Sequence, residues 1–375
     1  MLPELEERAV RHWTINGRFM SQPPTGVQRS AGEIVRALDA RLAEDPELRA
    51  GLRVELVAPH GAPLPQDLKA IACRQHGRIG GHAWEQCVLP ALAPGGLLSL
   101  CNTGPVLHRK QIVCIHDANT HIVPASYTVG FRVLYRVLLP ALGRTACAVT
   151  TVSHHSARDL DRLGICPSKE IAVVPNGHEH ALRWTPSHSE RTRAVAGPGT
   201  VVLIGSPAPH KNVDLILGLA PRLHAAGLRV AVVGASDPRV YRTNLVEAAG
   251  VDWLGRLADE QLAALLRDSL CLVFPSLTEG FGMPPLEAMA IGCPTLVSDR
   301  ASLPEVCGNA SLVLPADDPE RWFEAIVDLH RSPEMRDRLI AKGRARAARF
   351  RWSDAVAAYL GLMAVLDGEA VPSFA

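Results

Sequence analysis

Two glutamates flank a glycine-bearing turn in the sequence TEGFGMPPLEA, residues 278–288. Glu279 lies in a predicted loop, and Glu287 lies in the first turn of the helix predicted to follow it. Gly280 and Gly282 let backbone amides approach a ligand closely. Carboxylates in such places can bind vicinal hydroxyls of sugars, and the free N–H groups of a helix N-terminus can bind an anion. This pattern favours a ligand composed of a sugar, a diphosphate and a nucleoside.

A lysine could complete such a site. Lys211 follows the apolar run 201–204 and a short loop, and it precedes a predicted helix over 213–225. An ammonium group at the carboxyl end of a buried strand can stabilise the charge that develops on a departing diphosphate. The alternative is that Lys211 is a solvated surface lysine. Glu279 and Glu287 would then be an ordinary loop acid and an ordinary helix-start acid.

The composition is that of a globular protein, with 47% hydrophobic and 21% charged residues among 375. At roughly 100–200 residues per domain, this length predicts two domains. The net charge of +1 provides no global field for nucleic acid, so we expect no nucleic-acid partner. The N-terminus lacks the apolar core of a secretory signal. No apolar run approaches the ~18 residues of a transmembrane helix, although peripheral membrane contact stays open.

The nine cysteines form no C-x-x-C pair and no Cys/His group with zinc spacing. Most of them lie inside apolar runs, so we expect buried free thiols in a reducing, cytoplasmic compartment.

Short, continuous apolar runs alternate with longer amphipathic stretches. Because strands of a covered parallel sheet are apolar on both faces, this alternation predicts parallel sheets with helices on both sides. The predicted strands are 53–58, 97–100, 111–116, 146–152, 171–174, 200–204, 228–233, 269–274, 294–297 and 311–314, with 12–19 as a weaker candidate for the first. The predicted helices are 27–42, 127–142, 153–163, 213–225, 259–267, 284–291 and 319–330, and 335–366 is also read as helical. One polar stretch, 178–199, interrupts the pattern and is interpreted as a linker between two doubly wound domains.

The motif E-G-F-G-x-P-x-L-E-A-M-A-x-G-x-P, which begins at Glu279, resembles that of retaining glycosyltransferases of family 4, the glycosyl transferases group 1. The loop R-F-x-x-x-P-x-T-G-V-Q-R over 18–29 is similar to that of mannosyltransferases of bacterial exopolysaccharide and O-antigen assembly. The resemblance implies the α/β fold class called GT-B, in which two doubly wound Rossmann-like domains face a central cleft. We expect residues 1–190 to form the acceptor-binding domain and residues 191–350 the nucleotide-sugar domain. Residues 351–375 would form a helix that packs back towards the N-terminal domain.

The resemblance also assigns residues at the transfer site. It implies catalytic roles for His116, Lys211 and Glu279, and contact of Glu287 with the nucleotide ribose. The other implied donor-binding residues are Gly26, Gly205, Arg256, Gly280, Phe281 and Gly282. This chain departs from many relatives at Ser206 and His210, where those proteins often have arginine. Diphosphate neutralisation would then rest mainly on Lys211, or on another residue such as Arg256.

The expected function is metal-independent, cofactor-free retaining transfer of a hexose from a nucleotide sugar. GDP-mannose is the first candidate donor, and UDP-glucose or another UDP-hexose is the alternative. The acceptor would be a saccharide or a lipid-linked oligosaccharide used in cell-surface polysaccharide synthesis, at the inner face of the cytoplasmic membrane. Two alternatives of other classes stay open: a glycoside hydrolase with paired carboxylates, and a non-catalytic protein that binds nucleotide sugars.

Overall fold

Two parallel sheets organise the computed structural model, which describes residues 10–234 and 249–369. The first sheet has the strand order β3-β2-β1-β4-β5-β6-β7, and the second has the order β10-β9-β8-β11-β12-β13. The strands of the first are β1 (Arg11–Asn16), β2 (Leu52–Ala58), β3 (Ala72–Gln75), β4 (Gly96–Ser99), β5 (Gln111–Cys114), β6 (Ala148–Thr151) and β7 (Ile171–Val173). Those of the second are β8 (Thr200–Gly205), β9 (Arg229–Gly234), β10 (Val251–Gly255), β11 (Cys271–Phe274), β12 (Thr295–Ser298) and β13 (Leu312–Leu314).

Helices connect these strands. In the first half they are α1 (Gly26–Glu44), α2 (Pro46–Gly51), α3 (Gly81–Cys87), α4 (Leu89–Leu92), α5 (Asn119–Ile122), α6 (Val129–Thr145), α7 (His154–Arg162) and α8 (Glu179–Leu182). In the second half they are α9 (Glu190–Val195), α10 (Val213–Ala225), α11 (Asp259–Asp268), α12 (Met283–Ile291), α13 (Leu303–Cys307), α14 (Pro319–Arg331), α15 (Pro333–Ala347) and α16 (Trp352–Leu366). The doubly wound α/β architecture predicted from the apolar pattern is therefore confirmed.

The ten apolar strands predicted from the sequence are all present, each boundary within two residues. The weaker candidate 12–19 was too long, because β1 ends at Asn16, whose side chain accepts a hydrogen bond from the amide of Arg18 and starts a 3₁₀ turn. Two strands at sheet edges, β3 and β10, are absent from the predicted set, and the sequence ACRQ of β3 is not an apolar run. The segment read as helical over 335–366 is two helices, separated at 348–351.

The last helix lies against the first sheet. Helix α16 packs on α1, and the Tyr359 hydroxyl lies 3.1 Å from Oγ1 of Thr150 in β6. The indole of Trp13 in β1 donates to Asp367, just after α16, at 2.9 Å. The chain therefore crosses back from the second sheet to the first before it ends.

The stretch 178–199, interpreted as a linker, does join β7 to β8, but it also contains the short helices α8 and α9. All nine cysteines lie within the described residues and are free thiols. Cys87 and Cys147 are exposed, so the expectation of burial is wrong for these two. None of the helices in the described ranges is both long and apolar enough to cross a bilayer.

Candidate active site

The carboxyl ends of strands from both sheets face a cavity of about 1130 Å³. Loops at this edge of a parallel sheet commonly bind ligands, because helix N-termini point into the same space. From the first domain the cavity is lined by Gly26 and Arg29, and from the second by Gly205, Lys211, Arg256 and Glu287, among others. Five of the sequence-predicted donor residues thus share one cavity.

The turn before α12 is built by its glycines and prolines. Gly282 caps the helix N-terminus with a φ of +98°, a conformation that favours glycine. Pro284 and Pro285 have no N–H, so they occupy helix positions whose amide would have no intrahelical partner. At the other end Gly292 has a φ of +92° and donates to Ala288, which confirms the predicted C-terminal cap. Anion-binding amides at this helix start must therefore come from residues before the two prolines.

Lys211 and Glu279 form a close ion pair. The Nζ of Lys211 lies 2.6 Å from Oε1 of Glu279, and the two side chains are 24% and 14% exposed. Asp117 of the first domain is close to the same pair. Burial raises the pKa of Asp117, and the charge of Glu279 raises it further, whereas the charge of Lys211 lowers it. Lysine and acid thus meet at the boundary between the domains.

Glu287 is held by a histidine that the sequence did not reveal. Its Oε1 atom lies 2.8 Å from Nε2 of His180, and both side chains are buried. The indole N–H of Trp352 points at Nδ1 of His180, at 3.2 Å. Because an indole can only donate, Nδ1 must accept, and Nε2 must carry the hydrogen that is donated to Glu287. This chain of hydrogen bonds fixes the carboxylate at the cavity wall.

Arg29 crosses the cleft from α1 to α11. Its two terminal nitrogens lie 2.8 and 2.7 Å from the two carboxylate oxygens of Asp259. Its Nε is 3.8 Å from Glu287, and its guanidinium carbon lies 5.2 Å from the centre of the Trp184 ring. A fork of this kind fixes geometry as well as charge. The ion pair of Arg29 with Asp259 joins the first domain to the start of α11, directly after the loop that contains Arg256.

His116 reaches the second domain through its backbone rather than its ring. The ring is buried, and its Nε2 lies 2.8 Å from the Leu100 carbonyl oxygen. Burial lowers the pKa of His116, but Cys114 and the Leu100 carbonyl raise it more, so that it lies above its ordinary value, at about 9. A Cβ on Gly280 would lie 2.5 Å from the His116 carbonyl oxygen, so only glycine fits there. The ring's hydrogen bond is thus made within the first domain, and the role expected for His116 at the reacting bond stays a prediction.

Hydroxyl groups of the first domain also hold the glycine turn. Ser153 and Ser156, at the start of α7, both donate to the carbonyl oxygen of Gly280, at 2.7 and 3.1 Å. Phe281, expected beside the donor through its amide, is buried, and its ring meets the edge of Phe350 at 5.7 Å. Its side chain therefore packs the turn.

His210, one of the two departures from relatives, binds across the cleft. Its Nδ1 lies 2.9 Å from the hydroxyl oxygen of Ser126 in the first domain. Burial and the adjacent charge of Lys211 lower the pKa of His210. This imidazole therefore adds no full positive charge at neutral pH.

The described residues contain no group of three His, Cys, Asp or Glu side chains that could hold a metal ion. Of the other residues predicted from the sequence, Glu279 contacts the cavity-lining Lys211. The cavity lining does not include His116, Gly280, Phe281 or Gly282. The two residues that were missed, Arg29 and His180, lie in segments that the sequence presented as a helix start and a polar linker. Only the clustering of basic and histidine residues there could have drawn attention to them.

Comparison with known proteins identifies the family. The model of "Glycosyl transferases group 1" matches residues 186–346. The O-antigen chain mannosyltransferase B of Escherichia coli is 30% identical over 270 residues, which cover 66% of this chain and 68% of that protein. The chain belongs to the glycosyl transferases group 1 family.

Other relatives have related names. The O-antigen chain mannosyltransferase RfbU of Salmonella typhimurium is 27% identical over 237 residues, with 62% of this chain and 64% of that protein covered. An MMP alpha-(1->4)-mannosyltransferase of Mycolicibacterium hassiacum is 33% identical over 219 residues, covering 55% and 51%. These alignments span about half to two thirds of each relative.

Solved structures confirm the GT-B fold. The sucrose-phosphate synthase of Thermosynechococcus elongatus superposes with a TM-score of 0.70 at 17% identity, covering 96% of this chain and 99% of that one. WaaG, a glycosyltransferase involved in lipopolysaccharide biosynthesis, gives 0.68 at 16% identity, covering 95% and 100%. At these identities the likeness concerns the fold alone.

Proposed function

We propose that this chain is a retaining hexosyltransferase that moves mannose from GDP-mannose to a saccharide or lipid-linked saccharide in cell-surface polysaccharide synthesis. Membership of the family and the mannosyltransferase names of three relatives support the activity and the sugar. UDP-glucose or another UDP-hexose is the alternative donor. The protein would work in the cytoplasm, against the inner face of the cytoplasmic membrane.

The observation that carries the proposal is the shared cavity. Lys211, paired with Glu279, and Glu287, held by His180, both lie at its wall. In this proposal Glu287 binds the ribose, Lys211 stabilises the diphosphate, and Glu279 binds the sugar. On arrival of the diphosphate, Lys211 exchanges one carboxylate oxygen for phosphate oxygens, and Glu279 becomes available for hydroxyls.

The reaction would then run between the domains. The bond from the sugar C1 to the diphosphate oxygen breaks, and a new bond forms from C1 to the acceptor oxygen on the same face. The acceptor proton passes to the departing phosphate oxygen, so no strong protein base is needed. A mechanism without a protein base agrees with the position of His116, whose ring forms a hydrogen bond to the Leu100 carbonyl and does not line the cavity.

The test combines a thermal-shift panel with a transfer assay. A nucleotide sugar at 100 times its dissociation constant should add about 2.7 kcal/mol to the unfolding free energy. GDP-mannose and the UDP-hexoses are tested separately at one common concentration, where the larger shift identifies the donor that binds more tightly. Release of sugar from a saccharide without any nucleotide would instead favour a hydrolase, and a shift without transfer would favour a binding protein.

The substitution Lys211→Ala tests the role of the ammonium group. Loss of one preorganised contact to developing charge typically lowers the rate about 100- to 1,000-fold. Lys342→Ala is the matched control, because Lys342 is exposed on α15, away from the cavity. An unchanged transfer rate in Lys211→Ala would contradict the mechanism.

A further inference from the structure

Helix α6 exposes a row of valines to solvent. Val129, Val133 and Val137 are 65%, 55% and 68% exposed, and Leu134 beside them is 38% exposed. Residues four apart share a face of a helix, so the three valines form one continuous stripe over two turns. The opposite face of α6 is buried in the first domain through Tyr135, Leu138, Leu139 and Leu142. The helix therefore packs without using its outer stripe.

The same segment is strongly basic. Residues 118–158 contain four arginines, at 132, 136, 144 and 158, and no aspartate or glutamate, although the whole chain has a net charge of only +1. Arg132 and Arg136 lie on α6 within one turn of the valines, and Arg136 is exposed. An apolar stripe flanked by arginines matches the layering of an anionic bilayer, in which phosphate groups lie above the hydrocarbon.

A loop anchored in the same core cluster as α6 also exposes a large apolar side chain. Leu107 is 87% exposed, the largest exposure among the big apolar side chains described. It follows Val106, which packs against the core cluster beneath α6, and it precedes the exposed Arg109. The loop thus exposes one apolar side chain and one cation next to a residue that shares its core cluster with α6.

A second copy of this chain fits the surface less well. In a two-fold dimer the same patch meets itself, so Arg132 and Arg136 of one copy would face their own equivalents. The segment 118–158 offers no acid to neutralise them. Like charges brought together in this way oppose association.

The exposed surface of α6 lies close to the candidate active site. Ser126, three residues before the helix, binds His210, which adjoins Lys211. From there the rings of Tyr127 and Phe131 stack at 5.6 Å along the inner side of α6. The beginning of the helix therefore lies at the mouth of the cleft.

We propose that the outer face of α6, with the Leu107 loop, docks on an anionic lipid bilayer and presents the cleft to an acceptor held in that bilayer. The use of the surface rests on the proposed transferase function, but the binding itself does not. Each arginine near an anionic surface contributes about 1 kcal/mol, or about fivefold in partitioning.

The test is co-sedimentation of the full chain with vesicles. Wild type should pellet with vesicles of phosphatidylglycerol and phosphatidylethanolamine, less so at high salt, and should stay in the supernatant with pure phosphatidylcholine. The double change Arg132→Gln and Arg136→Gln should lower partitioning about 25-fold. Val133→Ser with Val137→Ser should lower it as well, at any salt concentration.

Matched controls lie elsewhere on the surface. Val365→Ser, at a valine that is 54% exposed on α16, and Arg338→Gln, at an exposed arginine on α15, should bind vesicles as wild type does. Equal binding to neutral and anionic vesicles, no binding to either, or equal losses in the controls would overturn the proposal. A concentration-dependent dimer abolished by the α6 changes would overturn it in favour of a second copy.

Failure of the docking surface can be told from failure of the transferase proposal. The nucleotide-sugar thermal shift of the α6 variants should equal that of wild type, because the changed residues lie outside the cavity. Transfer to a water-soluble acceptor should also be unchanged, whereas transfer to the same acceptor on a lipid in vesicles should fall. A protein that shows no nucleotide response but retains vesicle binding would refute only the transferase proposal.

Discussion

Replacement of His180 by phenylalanine tests whether this residue, which lies outside the second sheet, holds Glu287 in position for the ribose contact proposed for it. In the native chain, His180 donates to Glu287 at 2.8 Å, and its other ring nitrogen accepts from Trp352. Phenylalanine keeps the approximate shape of the ring but removes the donor. In the native structure, Nε of Arg29 lies 3.8 Å from Glu287. Without the histidine donor, the Glu287 carboxylate should turn towards this guanidinium.

The size of the effect follows from the bond that is lost. A hydrogen bond to a charged group is worth about 1.5–3 kcal/mol, and both partners here are buried from solvent. A ribose would have to draw Glu287 back from Arg29, so this energy opposes binding. Since 1.36 kcal/mol is tenfold, we expect nucleotide affinity to fall roughly 10- to 150-fold in His180→Phe. The value of kcat at saturating donor should be unchanged, because Lys211 and Glu279 are untouched.

The assay is calorimetric titration with the nucleotide identified in the thermal-shift panel, together with KM and kcat for transfer. His178→Phe is the matched control: its Nδ1 lies 2.7 Å from the Phe350 carbonyl oxygen, so it should lose stability without losing nucleotide affinity. His180→Gln should recover part of the affinity, because glutamine carries an N–H near the position of Nε2. Wild-type affinity in His180→Phe, or equal losses in both phenylalanine variants, would refute the reasoning.

Three further predictions concern the boundary between the domains. Gly280→Ala places a Cβ 2.5 Å from the His116 carbonyl oxygen, so we expect a loss of about 1–3 kcal/mol in unfolding free energy and slower transfer, measured by urea titration and initial rates. Asp259→Asn weakens a bridge whose partners are about one-third exposed, so unfolding free energy should change by at most ~1 kcal/mol while small-angle scattering shows a more open cleft. The pKa of His210 is lowered in the folded state, so the unfolded state takes up more protons below about pH 6.5, and stability falls as the pH drops through that range. His210→Asn, which keeps a polar group for Ser126 but cannot titrate, should flatten this part of the stability–pH curve.

The sequence predicted what local chemistry determines. The turn over 279–282 and the start and C-terminal cap of α12 depend on glycine and proline at fixed positions, so they could be predicted from the sequence. The sheets could be predicted from continuous apolar runs. The edge strand β3 could not be predicted in this way, because its residues are partly exposed and mostly polar. The hydrogen bond of the His116 ring to the Leu100 carbonyl could not be predicted, because the sequence locates a residue at a strand end but not the partner of its side chain.

Side-chain partners distant in the chain could not be predicted in this way. His180 and Glu287 are 107 residues apart, and Arg29 and Asp259 are 230 apart. No periodicity or cap links such positions, since only the packing of the two domains brings them together. The polar composition of 178–199 suggested a linker, yet that segment supplies the histidine that orients Glu287.

The part of the cavity proposed to bind the donor is therefore completed by residues of the first domain. The carbonyl of Gly280 accepts from Ser153 of the first domain, and Asp259 is bound by Arg29 of α1. Each of these contacts exists only while the two domains face each other at this distance. A ligand that needs the glycine turn and the α11 start in their present positions must bind the closed form more tightly than an open one. By linkage, the same ligand must then favour closure, which removes water from the space where the sugar would be transferred.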